Sequence, residues 1–157
     1  MKLLTSVRNR DEAQLAIVAG TDWIDLKEPN DGALGAVSPG VIVEVVAYAS
    51  KHAPRLPVSA TIGDYWDEPQ LIPGRVADIA NTGVDYIKIG VHANQGTTMI
   101  SSILRACSAH QSKLIVLFSA DSLPEPEHLL AYAGFGVAGF MIDTVDKQGG
   151  ALTKRCT

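Results

Sequence analysis

The sequence predicts an α/β fold, an incomplete TIM-type parallel (β/α) barrel of about six βα units out of eight, which forms one domain over residues 1–157. Apolar runs of strand length alternate with segments of helical periodicity along the chain, which is typical of βαβ crossovers. In addition, several predicted strands carry polar residues on one face, whereas a doubly wound sheet would be apolar on both faces. A barrel accounts for these polar faces because its interior opens to substrate at the carboxyl ends of the strands.

The strands are predicted from short apolar runs bounded by glycine or polar residues. In chain order they cover residues 3–7, 23–27, 58–62, 85–90, 113–119 and 138–143. Three of them share a weak repeat, in which glycine precedes the strand and a polar residue lies near its end. The repeats read GTDWIDLK at 20–27, GVDYIKIG at 83–90 and GVAGFMID at 136–143. Repeats at multiples of one βα unit favour a barrel over the alternative fold, a flavodoxin-like sheet.

The helices are predicted from their caps and from their apolar periodicity. They cover about 9–20, 38–52, 71–82, 97–111 and 122–134. Asn9 and Glu12 form a capping-box pattern at the start of the first helix. Ser38 caps the second helix, whose first position is a proline. Ser122 is predicted to cap the fifth helix, with Pro124 in its first turn.

Composition and charge exclude several classes of function. The net charge is -4 and the Lys and Arg residues are scattered, which argues against nucleic acid or a membrane as the partner. No apolar run approaches the roughly 18–20 residues of a membrane span, and the N-terminus lacks the pattern of a signal peptide. Neither Cys107 and Cys156 nor the four histidines show metal-type spacing. We therefore expect a cytoplasmic protein without a metal or cofactor.

Two charged residues lie within the second predicted strand, where a buried strand would carry none. Asp25 and Lys27 are two residues apart and share a face with Trp23. Ile24 and Leu26 occupy the opposite, apolar face. The pattern places a carboxylate and an amine on the inner side of the barrel.

Lys27 is the strongest candidate for a nucleophile. Its amine, facing inward from a strand, would be poorly solvated, and desolvation lowers the pKa of an ammonium group. Lys88, at the equivalent place on the fourth strand, would lower that pKa further, and a neutral amine can form a Schiff base with a carbonyl. Asp25 could hold the lysine or move a proton. The residues alone leave open a purely structural ion pair of Asp25 with Lys27 or with Lys88.

Other candidate residues lie at the ends of predicted strands. Asp64 follows a turn at Gly63 and could be a base or could cap the adjoining loop. Asp143 ends the sixth strand, and Lys147 follows four residues later. That arrangement suits acid–base work on a substrate oxygen, although a solvated loop lysine is the alternative.

The loop EPNDGALGA, residues 28–36, offers backbone N–H groups and conformational freedom at Gly32 and Gly35. It could cradle a phosphate or close over the barrel mouth, although it lacks the spacing of mononucleotide-binding loops. His92 follows the fourth strand and could also reach the mouth. The expected substrate contacts are Ser59, Asp64, Gly32, Gly35 and His92.

Four motifs together resemble one enzyme family. DLKEPNDGALGA, VSATIGD, DYIKIG and MIDTVDKQGG occur in the order and with the spacing of the (5-formylfuran-3-yl)methyl phosphate synthase family of methanofuran biosynthesis, and the resemblance runs from residue 1 to about 152. The combination of the first two motifs is quite specific. The resemblance implies a TIM-type barrel and a lyase of one-carbon metabolism. Such an enzyme condenses two molecules of glyceraldehyde 3-phosphate through a lysine Schiff base into a furan aldehyde phosphate.

The resemblance also implies roles for residues already singled out. Lys27 matches the family's Schiff-base lysine, and Asp25 matches its partner carboxylate. Lys88 and Lys147 match two further active-site lysines. Asp143 matches the strand-end carboxylate beside the second of these. A small phosphorylated aldehyde is thus the expected partner.

The family pattern exceeds 200 residues and completes eight strands, whereas the final ALTKRCT of this chain does not resemble it. We therefore expect a truncated or frame-shifted product that lacks the seventh and eighth units, whose loops commonly bind phosphate in such barrels. The open edges of the first and sixth strands would invite pairing, so we expect a homo-oligomer. The alternative function is a non-catalytic barrel that binds phosphorylated trioses or only self-associates.

Overall fold

The structure, a computed structural model, describes residues 1–32, 34–120 and 122–143. The strands of these ranges are β1 (Leu4–Val7), β2 (Trp23–Leu26), β3 (Val58–Thr61), β4 (Tyr86–Val91), β5 (Leu114–Ser119) and β6 (Gly139–Asp143). The α-helices are α1 (Arg10–Val18), α2 (Pro39–His52), α3 (Ile72–Ala80), α4 (Thr97–Ala106) and α5 (Pro126–Ala133). Short 3-10 helices cover Pro29–Asp31, Pro69–Leu71, Ala93–Gln95 and Ser108–Lys113. The predicted alternation of strands and helices is therefore confirmed.

All the described strands belong to one parallel sheet, and they lie in chain order from β1 to β6. Sequential order is that of a (β/α) barrel, whereas a flavodoxin-like sheet has the order 2-1-3-4-5. The sheet also curls, as shown by a cavity of about 370 Å³ that both Leu4 of β1 and Met141 of β6 line. The incomplete barrel is confirmed and the flavodoxin-like alternative is wrong.

The two faces of the sheet differ as the strand alternation predicts. The outer face is apolar and lies beneath the helices, which contribute residues such as Ile42 and Leu104 to the same core. Side chains of this face that are completely buried include Ile24, Leu26, Ile87, Ile89, Leu114 and Val116. The inner face carries polar groups, of which Asp25, Ser59 and Lys88 are buried. The apolar core therefore lies between the outer face and the helices, and the polar residues face the barrel interior.

The repeat seen in the sequence corresponds to a repeated structure. Gly20, Gly83 and Gly136 each adopt a left-handed conformation, with φ of 82°, 88° and 75°, which glycine tolerates without strain. In the first two repeats the aspartate after the glycine accepts a hydrogen bond from the backbone of the preceding strand. Asp22 accepts from Leu3 N and Asp85 from Val58 N, each at 2.8 Å. This connection fixes where β2 and β4 enter the sheet.

Two helix boundaries differ from the prediction. Helix α5 begins at Pro126 and not after Ser122, because Glu125 precedes a proline and is held in an extended conformation with ψ of 147°. Helix α4 ends at Ala106, and a 3-10 helix covers Ser108–Lys113 where the α-helix was expected to continue. None of the helices in the described ranges has the length and apolar character needed to cross a membrane.

Candidate active site

A buried ion pair lies inside the curled sheet. Lys88 Nζ on β4 donates a hydrogen bond to Asp25 Oδ2 on β2 over 2.5 Å, and only 4% and 1% of the two residues is exposed. The register explains the approach, because Asp25 pairs with Ser59 on β3 and Thr61, two residues further along β3, pairs with Lys88. Of the two ion pairs that the sequence left open for Asp25, the structure contains the one with Lys88.

Hydrogen bonds from neighbouring strands complete the coordination of the Asp25 carboxylate. Ser59 Oγ donates to Asp25 Oδ1 over 2.6 Å, and Ser6 Oγ on β1 donates to Oδ2 over 3.2 Å. Trp23 Nε1 in turn donates to Ser59 Oγ over 3.0 Å. A buried ion pair needs such additional hydrogen bonds to its charged atoms, because removing the charges from water is costly. Sequence reasoning missed Ser6, although its register position opposite Asp25 could have revealed it.

Lys27 lies one residue beyond β2 and lines an open cavity of about 410 Å³. The other lining residues are Ser6, Arg8, Glu12 and Pro29. The residue is half-buried, and no group within the described ranges forms a hydrogen bond or ion pair with its side chain. Its backbone is anchored, because Lys27 N donates to Val7 O over 3.1 Å. The amine is thus held at the barrel mouth without a partner from the described chain.

Lys27 and Lys88 line two different cavities, which are linked by the hydrogen bond between Ser6 and Asp25. Lys88 and Ser59 line the interior cavity, whereas Lys27 lines the cavity at the end of β1 and β2. Ser6 belongs to the wall of the second cavity and also donates to Asp25 Oδ2. A path of polar groups therefore leads from the space around Lys27 through Ser6 and Asp25 to Lys88.

The glycine-rich loop packs onto the barrel through a few specific contacts. Gly35 O accepts hydrogen bonds from Thr61 Oγ1 over 2.7 Å and from Glu28 N over 2.9 Å. Leu34 N donates to Asp64 Oδ1 over 3.0 Å. A side chain at position 32 would overlap the Asp64 carboxylate, so glycine there permits the approach. Asp64 thus holds the loop after β2, whereas the sequence predicted it to be a base or to cap the loop that follows β3.

An aromatic wall stands at the carboxyl end of β4. The Trp66 ring packs against the Cα of Gly90 together with Leu34, in space that any larger residue at position 90 would occupy. Trp66 also lies 4.1 Å from the His92 ring, measured between centroids. Gln95 Nε2 donates to Trp66 O over 3.0 Å. Sequence reasoning missed Trp66, although a glycine within a strand often marks a close approach by another group.

The remaining candidates lie at and beyond the last described strand. Asp143 ends β6 and pairs with Ser119 of β5, which places it on the same face of the sheet as Lys88. Lys147 lies outside the described residues. Within the described ranges, no three His, Cys, Asp or Glu side chains lie close enough together to hold one metal ion.

The family model of 4-HFC-P synthase matches residues 3–157. This chain belongs to the 4-HFC-P synthase family. A relative from Methylorubrum extorquens is 41% identical over 155 residues, which cover 97% of this chain and 61% of the relative. The (5-formylfuran-3-yl)methyl phosphate synthase of Methanosarcina mazei is 40% identical over 160 residues (95% and 67%), and that of Methanopyrus kandleri is 33% identical over 165 residues (96% and 67%). The chain thus spans 61–67% of the length of these relatives.

Solved structures of other proteins share the fold of this 4-HFC-P synthase family member. CutC from Streptococcus agalactiae superposes with a TM-score of 0.70 at 16% identity, covering 99% of this chain and 83% of that one. The 3-hexulose-6-phosphate synthase of Salmonella typhimurium gives a TM-score of 0.57 at 14% identity, covering 99% and 69%. At such identities the likeness concerns the barrel architecture alone.

Proposed function

We propose that this chain carries the catalytic residues of a (5-formylfuran-3-yl)methyl phosphate synthase, a cytoplasmic enzyme that condenses two molecules of glyceraldehyde 3-phosphate through a Schiff base on Lys27. The family membership supports a synthase of methanofuran biosynthesis. The observation that carries the assignment of Lys27 is its position on the wall of an open cavity, without a partner among the described residues.

Lys27 would begin the reaction by attacking the aldehyde carbon of one triose phosphate. Loss of water gives an imine, and removal of a proton from the adjacent carbon gives an enamine that adds to the aldehyde of the second triose. Elimination of one phosphate and of water then forms the aromatic furan ring, and hydrolysis of the imine releases the furan aldehyde and restores the Lys27 amine. Each step needs a group that accepts or donates a proton near the amine.

Asp25 and Lys88 are the proposed groups for charge and proton transfer. Asp25 is connected to the cavity wall by Ser6, and Lys88 places a positive charge next to it. Asp143 and Lys147 would assist at the sixth strand, by moving a proton and by neutralising phosphate or a developing alkoxide. The roles proposed for Asp143 and Lys147 rest on the match of MIDTVDKQGG to the family motif.

The remaining candidate residues would shape the substrate site. Asp64, Gly32 and Gly35 are proposed to act by fixing the loop over the mouth, which the hydrogen bonds of the loop support. Ser59 lines the interior cavity and orients Asp25. His92 is proposed to face the substrate from the aromatic wall at the end of β4.

The proposed function is tested by following furan absorbance while the 157-residue chain is incubated with glyceraldehyde 3-phosphate. We expect absorbance to grow with the wild-type chain and to stay at the background level with Lys27→Ala. Lys51→Ala removes an exposed amine from the last turn of α2 and serves as the control that keeps wild-type activity. A Lys27→Ala chain that still makes the furan would overturn the assignment. Triose phosphate binding without any furan from the wild-type chain would favour the non-catalytic alternative.

We also propose that the chain self-associates. In the described sheet β1 pairs with β2 alone and β6 with β5 alone, and unpaired strand edges recruit further strands. Phe140 and Ile142 on β6 are exposed as well. Light scattering after size-exclusion chromatography is expected to give a mass above 16.6 kDa. A monomer mass across a wide range of concentration would contradict the proposal.

A further inference from the structure

Arg8 is a charged residue of the Lys27 cavity to which the proposed mechanism gives no role. It follows β1 directly and lines the cavity together with Lys27. Its guanidinium is held in place by Glu12 in the first turn of α1, whose Oε1 accepts from Arg8 Nε over 3.1 Å and from Nη2 over 2.6 Å. Glu12 Oε2 also accepts from the Arg8 backbone N over 2.8 Å. The side chain is therefore oriented before any ligand arrives.

The guanidinium keeps unused donors after this contact. An arginine has five N–H donors, and the two bonds to Glu12 leave three that donate to no group within the described ranges. Close to half of the Arg8 side chain is exposed, so these donors can be reached from the cavity. A planar fork of N–H groups matches the oxygens of a phosphate better than a lysine ammonium does.

The charges of the cavity wall favour an anion. Arg8 and Lys27 are the two basic residues among the lining residues, and Glu12 is the one carboxylate. Its hydrogen bond with Arg8 lowers the pKa of Glu12 and raises the pKa of Arg8, so both groups stay charged at neutral pH. Glu28 also acts on Arg8, because its charge adds to the rise in the pKa of that guanidinium, while its carboxylate accepts a hydrogen bond from Asn30 N.

We propose that Arg8, oriented by Glu12, binds the phosphate of the aldehyde that reacts with Lys27. The proposal deepens the proposed function and rests on it for the identity of the amine. It defines a phosphomonoester subsite at the end of β1. A cavity of about 410 Å³ has room for a three-carbon phosphate between Arg8 and Lys27.

The test uses inorganic phosphate and the reactivity of Lys27. The wild-type chain is acetylated with an N-hydroxysuccinimide ester while phosphate is raised at constant ionic strength, and acetylation of the Lys27 peptide is quantified by mass spectrometry. We expect phosphate to protect Lys27, and we expect Arg8→Gln to raise the half-protecting concentration by about tenfold or more, as the loss of a charge-assisted hydrogen bond predicts. Arg8→Lys keeps the charge without the fork and should give an intermediate value.

Arg10→Gln is the matched control. Arg10 is equally exposed and lies two residues away, but its guanidinium faces Glu44 on α2 at 3.9 Å. This variant should retain wild-type protection. Protection that is equal in Arg8→Gln and in the wild type, or no protection of Lys27 in the wild type, would overturn the subsite. A different outcome is that phosphate protects Lys27 in an Arg8-dependent way although the chain forms no imine with glyceraldehyde 3-phosphate. That result would contradict the proposed function and still support the phosphate subsite.

Discussion

At the scale of single residues, the buried ion pair between Asp25 and Lys88 is the most consequential feature of the site. Both residues are almost fully buried, and hydrogen bonds from Ser6 and Ser59 reach the carboxylate. Such a pair contributes little to stability compared with apolar residues, but removal of one partner leaves an uncompensated charge in the interior. Because desolvation of the two charges offsets most of their attraction, the pair stabilises the fold little, which favours the proposed role in chemistry over a role in folding.

Asp25→Asn is expected to lower the free energy of unfolding by about 3–5 kcal/mol, because the Lys88 ammonium would lose its counter-charge. The measurement is urea unfolding followed by circular dichroism. Asp78→Asn is the control, since Asp78 forms an exposed pair with Arg75 at 3.7 Å and should change the stability by less than about 1 kcal/mol. Equal effects of the two variants would contradict a buried, charged pair.

The sequence predicted that Asp25, Lys27 and Lys88 face the barrel interior, because a period of two follows directly from strand geometry. It left open which lysine pairs with Asp25. That choice depends on register and side-chain direction, which alternation does not specify. The sequence analysis missed Ser6, whose role depends on its contact with Asp25 on the neighbouring strand. It also missed Arg8, whose proposed role depends on the cavity that it shares with Lys27.

At the scale of secondary-structure elements, the loops after β2 and β3 meet over β4. Leu34 from the first loop and Trp66 from the second pack on Gly90, and the first loop is tied to the second by Leu34 N and Asp64. The glycine near the carboxyl end of β4 lets both loops approach the sheet. The loops are therefore positioned by packing as well as by hydrogen bonds.

Gly90→Ala is expected to destabilise the fold by about 1–3 kcal/mol, because its methyl group would overlap the Trp66 ring and Leu34. Gly40→Ala in the first turn of α2 is the matched control. Apart from the adjacent residues and the backbone of the helix itself, no atom lies within 4 Å of the added methyl there, and we expect a gain of about 0.4–1 kcal/mol from reduced entropy of the unfolded chain. Thermal unfolding of both variants measures the difference. A neutral Gly90→Ala would show that the loops do not pack on β4.

Helix starts were predicted well where one clear cap exists. Asn9 Oδ1 accepts from Glu12 N over 2.9 Å as predicted, but the Glu12 side chain accepts from Arg8 N and not from Asn9 N, so only half of the predicted capping box forms. The start of α5 was misplaced because Ser122 offered a stronger cap signal than Glu125, while the proline at 126 decides the backbone conformation before it. A cap residue indicates a possible helix start, and prolines nearby determine which start is used.

At the scale of the whole molecule, the core lies between the outer face of the sheet and the helices. Cys107, directly after α4, is part of this core and is 2% exposed. Burial raises the pKa of its thiol to about 11, so the neutral thiol is the form present in the folded chain at pH 8. The thiol thus reports on the integrity of the core from a position away from the site.

The Cys107 thiol is expected to react with dithionitrobenzoate at pH 8 only at the rate at which the chain unfolds, since it is the buried and protonated form. Its contribution to stability is present below the ordinary thiol pKa of 9.0 and is lost as the pH rises toward about 11. Mass spectrometry of the Cys107 peptide, with and without urea, provides the measurement. Complete labelling within minutes in native buffer would place the thiol outside the core.

The barrel topology could be predicted because strict alternation of strands and helices leaves few arrangements, and polar inner faces distinguish among them. The glycine before β2, β4 and β6 added a repeat that the structure reproduces. The arrangement of the loops could not be predicted, because it depends on contacts between residues distant in sequence, such as Leu34 with Asp64. The predicted role of Lys147 remains a prediction, since the residue lies outside the described ranges.

Reduction of the chain with borohydride in the presence of glyceraldehyde 3-phosphate tests the central claim most directly, because it converts an imine into a stable secondary amine. We expect a single adduct on the peptide that contains Lys27, and none after Lys27→Arg. An adduct on another lysine, or no adduct at all, would contradict the claim that Lys27 is the nucleophile.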